Sequence, residues 1–304
     1  MQAEVELISK TNEPIKLVNT AYKNCYSKYS ANELCKQIFS PKQMLDLISK
    51  HSNHESPLEH VYFTFAINGI SKAAVSQFNR HRHMSFSEKS FRYVEIKEDF
   101  DLIENIVANN LKGKAETIVK RYYVSSYIKD KEPILYWLDI MDYIDNLYRY
   151  LRKIKNGAKP EDARNILGMG VKTSTVVSTN LKELIHVANL RLCSRAQKEI
   201  REIVKEMCKL VIEQEPWLAE FLVPKCLKLG YCNEYKSCGF KPPKPDTEVI
   251  CRNCYYIYNY STDLKLKVEG SREGQQRDTY CPYCGAYNNR ESDLKGFTEA
   301  NEQM

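Results

Sequence analysis

The stretch from Arg80 to Tyr93 carries more chemically active side chains than any other part of this 304-residue chain. It reads Arg-His-Arg-His-Met-Ser-Phe-Ser-Glu-Lys-Ser-Phe-Arg-Tyr, so cations, imidazoles, hydroxyls and a carboxylate follow one another closely. An arginine presents a planar fork of N–H donors that matches a phosphate bidentately. If residues 88–93 are extended, Glu88, Ser90 and Arg92 share one face of a strand. The stretch therefore predicts an anion-binding site, with a solvated basic turn as the alternative.

The elements that must position these side chains are indicated by periodicity and capping signals. Residues 61–67 predict a buried strand, and residues 71–78 predict a helix that leads to the arginines. Residues 84–96 are expected to be extended, so the motif would lie at a junction between helix and strand. Residues 171–179 predict another strand, after which Asn180 is expected to cap a helix.

The order and spacing of the motif resemble the signature of a known enzyme family. Arg80-His81-Arg82 is followed by seven residues, Ser90, one further residue and Arg92. This arrangement resembles the signature of the flavin-dependent thymidylate synthases. The segment His54 to His60, His-Glu-Ser-Pro-Leu-Glu-His, is similar to the family's loop before its first long strand.

Two later segments extend the resemblance. Asp162-Ala163-Arg164 and the stretch from Asn180 to Arg201 are similar to the family's nucleotide-binding helices in order and in relative distance. The likeness spans about residues 15–224. It implies the family's α+β fold, a twisted and largely antiparallel sheet flanked by helices.

The resemblance implies a reaction and its ligands. It implies reductive methylation of deoxyuridine monophosphate (dUMP) to dTMP, with methylenetetrahydrofolate as carbon donor, FAD as hydride carrier and NADPH as reductant. A related one-carbon modification of a pyrimidine nucleotide, such as hydroxymethylation, stays open as an alternative. The family's active sites are shared between the subunits of a homotetramer, so we expect a homotetramer here.

The resemblance also assigns individual side chains. The positions implied to bind the nucleotide are Gln77, Arg80, Glu88, Ser90, Arg92, Arg164 and Arg191. The positions implied to bind flavin are Ser56, Glu59, Arg80, His81, Arg82, Asn180, Lys182 and His186. The positions implied to act in catalysis are His54 and Arg191. Lys182 stands where the family commonly has arginine, which keeps the charge and loses the fork of donors.

Two Cys-x2-Cys pairs form a second motif near the end of the sequence. Cys251 and Cys254 are separated by twenty-six residues from Cys281 and Cys284. Four thiolates suit tetrahedral zinc, and a site with four protein ligands leaves no position for water and is therefore structural. The pattern predicts a small zinc-ribbon lobe, with iron in a rubredoxin-like site as the alternative.

The connector before this motif suggests the domain layout. Cys226, Cys232 and Cys238 are separated from one another by five residues each, which matches no standard zinc pattern, so free thiols and a second metal or redox site both stay open. A proline run follows at residues 242–245. We expect a catalytic domain at residues 1–224, a connector at residues 225–250 and the zinc ribbon at residues 251–304.

Composition limits the partners of the chain. The net charge is +6 at pH 7, and from Lys225 onward twelve Lys and Arg face eleven Asp and Glu. That charge is weak for phosphate-backbone binding, so we do not expect nucleic-acid binding. The alternative is a zinc-ribbon protein that binds nucleic acid or another partner and has an inactive enzyme-like core. No apolar run reaches about eighteen residues and no signal-like N-terminus is present, which predicts a cytoplasmic protein without membrane spans.

Overall fold

A computed structural model of the protein describes most of the chain before residue 242. The described residues are 3–50, 54–125, 127, 129–234 and 238–241, together with four short strands at 248–250, 257–259, 279–280 and 287–288. The chain divides into two compact units, Met1–Lys228 and Leu229–Met304. The predicted zinc ligands Cys251, Cys254, Cys281 and Cys284 lie outside the described residues.

A four-stranded antiparallel sheet forms the centre of the first unit. Its strands are β1 (Glu4–Lys10), β2 (Tyr62–Ser71), β3 (Met84–Glu88) and β4 (Lys172–Asn180), in the order β1-β2-β4-β3. Alternate side chains of β2 are buried, as the two-residue period of a strand requires. The predicted antiparallel sheet is confirmed. Helices precede and follow its strands along the chain.

The helices of the described chain flank this sheet or pack beside it. They are α1 (Pro14–Asn24), α2 (Ala31–Leu34), α3 (Pro41–Lys50), α4 (Lys72–Phe78), α5 (Phe100–Ala108), α6 (Lys112–Tyr122), α7 (Pro133–Lys155), α8 (Pro160–Ala163), α9 (Leu181–Arg191), α10 (Lys198–Gln214) and α11 (Lys225–Leu229). Short 3-10 turns occupy Ser56–His60, Arg164–Ile166 and Pro216–Leu218. Within the described residues, none of these helices combines the length and apolar character that a bilayer crossing needs.

The buried side chains of the first unit form two apolar clusters. One cluster joins the sheet to α4, α9 and α10, and includes Phe65, Leu184 and Val204. The other joins α5, α6 and α7, and includes Ile144 and Leu147. Most of the predicted site residues lie on elements of the first cluster, whose packed strands and helices hold them in place.

Two helix starts form where the sequence predicts them. The Ser71 hydroxyl accepts a hydrogen bond from the Ala74 amide at 3.1 Å, so α4 begins one residue after its predicted first position. The Asn180 side chain accepts from the Glu183 amide at 2.8 Å, which confirms Asn180 as the cap of α9. Both caps end a strand of the central sheet, so each helix leaves the sheet in a fixed direction.

The predicted extended segment at residues 84–96 is wrong beyond Glu88. The amides of Tyr93 and Val94 donate to the Ser90 carbonyl at 3.2 and 3.0 Å, so the chain turns there. The Ser90 hydroxyl accepts from the Arg92 amide at 3.2 Å, a local bond that competes with strand pairing. Glu88, Ser90 and Arg92 therefore do not lie along one strand face.

Gly170 offers a test of packing at the second cluster. A Cβ added there would lie 2.1 Å from Cε2 of Tyr123, a ring stacked on Tyr143 with centroids 4.3 Å apart. Gly170→Ala is therefore expected to lower the free energy of unfolding by about 1–3 kcal/mol. Gly113→Ala is the matched control, because nothing lies within 4 Å of its Cβ position in α6 and it should stabilise by about 0.5–1 kcal/mol. Urea denaturation measures both, and equal midpoints for the two variants would contradict this packing.

Candidate functional site

The first turns of α9 present several predicted flavin-binding residues together. Asn180 caps the helix, and Lys182 and His186 follow four residues apart, so they lie on one helical face. Glu183 lies on the adjoining part of the same turn and is only 8% exposed. Because β4 delivers the chain to Asn180 and the cap fixes the first turn, these positions are set by the sheet.

A cavity of about 570 Å³ lies beside this end of α9. Four of the predicted flavin-binding residues line it together: Glu59, Asn180, Lys182 and His186. Much of the remaining wall is apolar and is formed by Tyr22, Ile48, Leu58, Ile185 and Phe221. Lys182 and Lys228 line the cavity together with the carboxylates of Glu55, Glu59 and Glu183. Apolar walls combined with such polar and charged groups suit a ligand that joins a flat ring to polar or phosphate groups.

Lys182 and Glu59 form an ion pair at the cavity wall. Lys182 Nζ lies 2.7 Å from Glu59 Oε1, and both side chains are more than 40% exposed. The ammonium of Lys182 lowers the pKa of Glu59, and the carboxylate of Glu59 in turn raises the pKa of Lys182. An exposed pair of this kind contributes little to stability, so an incoming anion can compete for the lysine.

His81, Glu183 and Arg191 form a hydrogen-bonded row, of which Glu183 also lines the cavity. His81 Nδ1 lies 3.2 Å from Glu183 Oε1, and the Nε of Arg191 donates to His81 Nε2 at 3.1 Å. His81 is 6% exposed. Burial and the neighbouring charge of Arg191 lower the pKa of His81, although Glu183 opposes them. The imidazole is therefore neutral near pH 7.

His54 lies in a ring of side chains next to the cavity. Its Nδ1 is 2.9 Å from the hydroxyl of Tyr26, and its Nε2 is 3.9 Å from Sγ of Cys25. The ring of Tyr22, which lines the cavity, meets the imidazole edge-on at 5.6 Å. Burial and the nearby charge of Glu55 raise the pKa of Tyr22 to about 12, so this phenol stays protonated. His54 is thus placed against Tyr22, a side chain of the cavity wall.

Three of the predicted anion-binding arginines have exposed guanidinium groups. Arg80, Arg82 and Arg164 are exposed, and within the described residues their side chains have no hydrogen bond or ion pair. Arg80 and Arg82 follow α4, whereas Arg164 begins the 3-10 turn after α8. Cations held on the surface without a carboxylate partner are available for phosphate groups.

The remaining predicted nucleotide-binding residues have partners inside the chain. Arg92 forms an ion pair with Glu161 at 2.8 Å. Glu161 precedes Arg164 by three residues, so Arg92 and Arg164 come from neighbouring surface segments. Glu88 pairs instead with Lys72 at 2.7 Å. The remaining contacts are a hydrogen bond from the Gln77 amide to Gln197 and the backbone bond of Ser90 already described. Within the described residues, no hydrogen bond or ion pair joins these contacts to the cavity on α9.

Sequence reasoning missed several residues of the site. Glu183 contacts a predicted site residue and lines the cavity, yet it received no role. Its position three residues after the cap Asn180 and three before His186 was a usable signal, since such spacing places side chains on one face. His83, which also lines the cavity, stands within the Arg80–Tyr93 stretch but received no role. Tyr26 had no comparable local signal, because its partner His54 comes from a distant segment.

Comparisons with known proteins bear on the family and the fold. The family model of the thymidylate synthase complementing protein matches residues 6–217. A flavin-dependent thymidylate synthase of Nitratidesulfovibrio vulgaris is 32% identical over 255 residues, which cover 79% of this chain and 96% of the relative. One of Pyrococcus abyssi is 38% identical over 187 residues, covering 60% of this chain and 68% of the relative.

Solved structures share the fold. Thymidylate synthase X from Helicobacter pylori, crystallised with FAD and dUMP, has a TM-score of 0.56 at 22% identity and covers 74% of this chain and 99% of its own. A UMP/dUMP methylase from Streptomyces cacaoi has a TM-score of 0.55 at 21% identity, and the match covers 73% of this chain and 97% of the methylase. The fold, the matched length and the identity to the relatives agree, and the chain belongs to the flavin-dependent thymidylate synthase family.

Proposed function

We propose that this protein converts dUMP to dTMP, with methylenetetrahydrofolate as carbon donor, FAD as hydride carrier and NADPH as reductant. The observation that carries the proposal is the cavity on α9, where four residues assigned to flavin by sequence line one wall. They do so in a chain that belongs to this enzyme family. The relatives named above carry the same activity in their names.

The residues present fit FAD by their chemistry. Lys182 at the cavity wall would supply a cation for its pyrophosphate, with the exposed Arg80 and Arg82 as further cations assigned by sequence, and Glu59 and Asn180 would supply polar groups for its sugars or ring edges. The apolar walls would bury a flat ring and exclude water from it. Bound FAD would supply the hydride chemistry, which no side chain of the protein can carry out.

The protein's own part is to bind and orient the nucleotide. Arg92 and Arg164 lie on neighbouring segments and would hold the phosphate of dUMP, with Arg80 from the end of α4. Arg191 would donate hydrogen bonds to a uracil carbonyl and so favour electron movement toward that oxygen. His54 would position the folate or move a proton near the reacting rings.

The complete site would be formed by several subunits of a homotetramer. Arg92 and Arg164, assigned to the nucleotide, have no hydrogen bond or ion pair among the described contacts to the residues that line the α9 cavity. Light scattering on the purified protein tests the assembly, and a monomer that is fully active would contradict it. A cytoplasmic location belongs to the same proposal.

Flavin binding is tested by anaerobic spectroscopy. We expect the purified or reconstituted protein to show a flavin spectrum that NADPH bleaches faster when dUMP is present, because the nucleotide completes the site beside the flavin. Protein that binds no flavin after reconstitution would contradict the proposal. It would favour the alternative of a partner-binding protein with an inactive core.

For the C-terminal part we propose a structural zinc ribbon at residues 251–304, joined by a connector at residues 225–250 to the catalytic domain at residues 1–224. The four cysteines suit zinc by number and spacing. Metal analysis is expected to find one zinc per chain, and Cys254→Ser is expected to lose it while the flavin spectrum is kept. Cys35→Ser is the control, since this cysteine lies far away in the sequence, after α2. Iron in place of zinc, or metal retained by Cys254→Ser, would contradict the proposal.

A further inference from the structure

We propose that Glu183 and His81 are positioning residues that hold the guanidinium of Arg191 in a fixed orientation, and that the ring of His81 is not a flavin ligand. The inference deepens the proposed function and rests on it for the role of Arg191. Glu183 would act on the reaction only through His81. The geometry of three buried or half-buried side chains carries the argument.

The direction of each hydrogen bond follows from the groups themselves. The Nε of arginine carries a hydrogen and no lone pair, so it can only donate. His81 Nε2, 3.1 Å away, must therefore accept, which leaves the ring proton on Nδ1. Nδ1–H then donates to the Glu183 carboxylate at 3.2 Å. The row Glu183, His81, Arg191 is thus a directional chain with every ring nitrogen engaged.

The row is held on rigid elements at each end. Glu183 lies in the capped first turn of α9, and Arg191 is the last residue of the same helix. His81 lies between α4 and β3, where its amide donates to the Phe78 carbonyl at 2.8 Å. The imidazole therefore bridges two positions on one helix, and the 8% exposure of Glu183 keeps water from replacing these bonds.

A metal ion is the competing explanation for this cluster. Ligand atoms of His81, Glu183 and His186 lie within 4.8 Å of one another, which is close enough to hold one. A metal would need a lone pair of His81, yet Nε2 already accepts from Arg191 and Nδ1 carries the proton. The positive guanidinium beside the ring would also repel a cation. The hydrogen-bonded row therefore explains the cluster better than a metal site does.

The chemical consequence concerns the guanidinium plane. With Nε bound to a fixed imidazole, Arg191 keeps its two terminal NH2 groups for a ligand, and their plane is set before the ligand arrives. Such preorganisation matters because small misplacements of a catalytic group are costly in rate. His186 is exposed and lines the cavity, so it and Lys182 take the flavin-facing role that was assigned also to His81.

The first test compares variants of Glu183 in the full-length protein. Glu183→Ala is expected to lower kcat by about 10- to 100-fold, a loss typical of residues that orient a functional group. The Kd for FAD should stay close to that of the parent. Glu183→Gln keeps an oxygen that accepts from Nδ1–H and should restore most of kcat. Glu215→Gln is the matched control, because Glu215 is equally buried and pairs with Lys10 and Trp217 instead.

The second test separates positioning from flavin binding. His81→Asn keeps a donor near the place of Nδ1 and loses the acceptor for Arg191, so kcat should fall as in Glu183→Ala while the FAD Kd is unchanged. A raised FAD Kd with normal kcat at saturating FAD would overturn the proposal. This variant also decides the matter if Glu183→Ala does not fold.

A crystal structure of Glu183→Gln and of His81→Asn gives a readout that does not depend on the reaction. We expect the Arg191 guanidinium in its original place in the first variant and displaced in the second. If the parent protein forms no dTMP, the proposed function fails. The two crystal structures still test whether Glu183 and His81 hold the Arg191 guanidinium in place. An unmoved guanidinium in His81→Asn would overturn the inference.

Discussion

Arg191→Ala is expected to lower kcat/KM for dUMP by about 10²- to 10³-fold, the loss seen when a donor to developing negative charge is removed. Arg191 is the predicted catalytic arginine that a buried imidazole holds in place, with Nε at 3.1 Å from His81. Alanine removes both the cation and the two NH2 donors aimed away from that bond. Flavin should stay bound, because the cavity residues Lys182 and His186 are untouched.

The measurement is dTMP formation at several dUMP concentrations, with the flavin content of each preparation read from its spectrum. Arg149→Ala is the matched control, since that arginine is 63% exposed on α7 and pairs only with Asp145 four residues before it among the described contacts. The control should keep its activity. Arg191→Ala with nearly full activity would show that this arginine does not act on the nucleotide.

Lys182→Glu is expected to weaken FAD binding about 100-fold, which corresponds to about 2.7 kcal/mol. The substitution removes one cation of the cavity wall, which Lys228 also lines, and places a second carboxylate beside Glu59, whose oxygen lies 2.7 Å from the Lys182 ammonium in the parent protein. A pyrophosphate would then meet two negative charges instead of a pair with net charge zero. The loss should shrink at high salt, because these side chains are partly exposed.

Titration of flavin-free protein with FAD measures this affinity. Lys182→Arg is the matched variant, and it should bind FAD at least as tightly as the parent, since arginine adds a bidentate fork at the same position. An unchanged Kd in Lys182→Glu would place the FAD phosphates elsewhere than at the α9 cavity.

Local sequence signals predicted the elements that hold the site. Asn180 was identified as a cap because its side chain acts on its own helix, and the threonines and valines of β4, buried at every second position, match a half-buried strand. The same reasoning failed after Glu88. The register of β3 with β4 ends at Glu88 opposite Thr175. Where two strands stop pairing depends on tertiary structure, which no local pattern encodes.

The row through His81 could not be predicted for a related reason. Its two hydrogen bonds join residues 102 and 110 positions apart in the sequence, so only the folded chain brings them together. A histidine between two arginines suggested a ligand for phosphate or flavin. In the fold its ring is buried and both nitrogens are engaged, whereas the neighbouring Arg80 and Arg82 are exposed.

The central claim is tested most directly by identifying the nucleotide product. Protein reconstituted with FAD would be incubated anaerobically with dUMP, NADPH and methylenetetrahydrofolate labelled with carbon-13 in the one-carbon unit, and the nucleotides would be analysed by mass spectrometry. The account predicts dTMP that carries the label, and none when any one component is left out. Unchanged dUMP while NADPH is consumed, or a labelled hydroxymethyl nucleotide in place of dTMP, would contradict it.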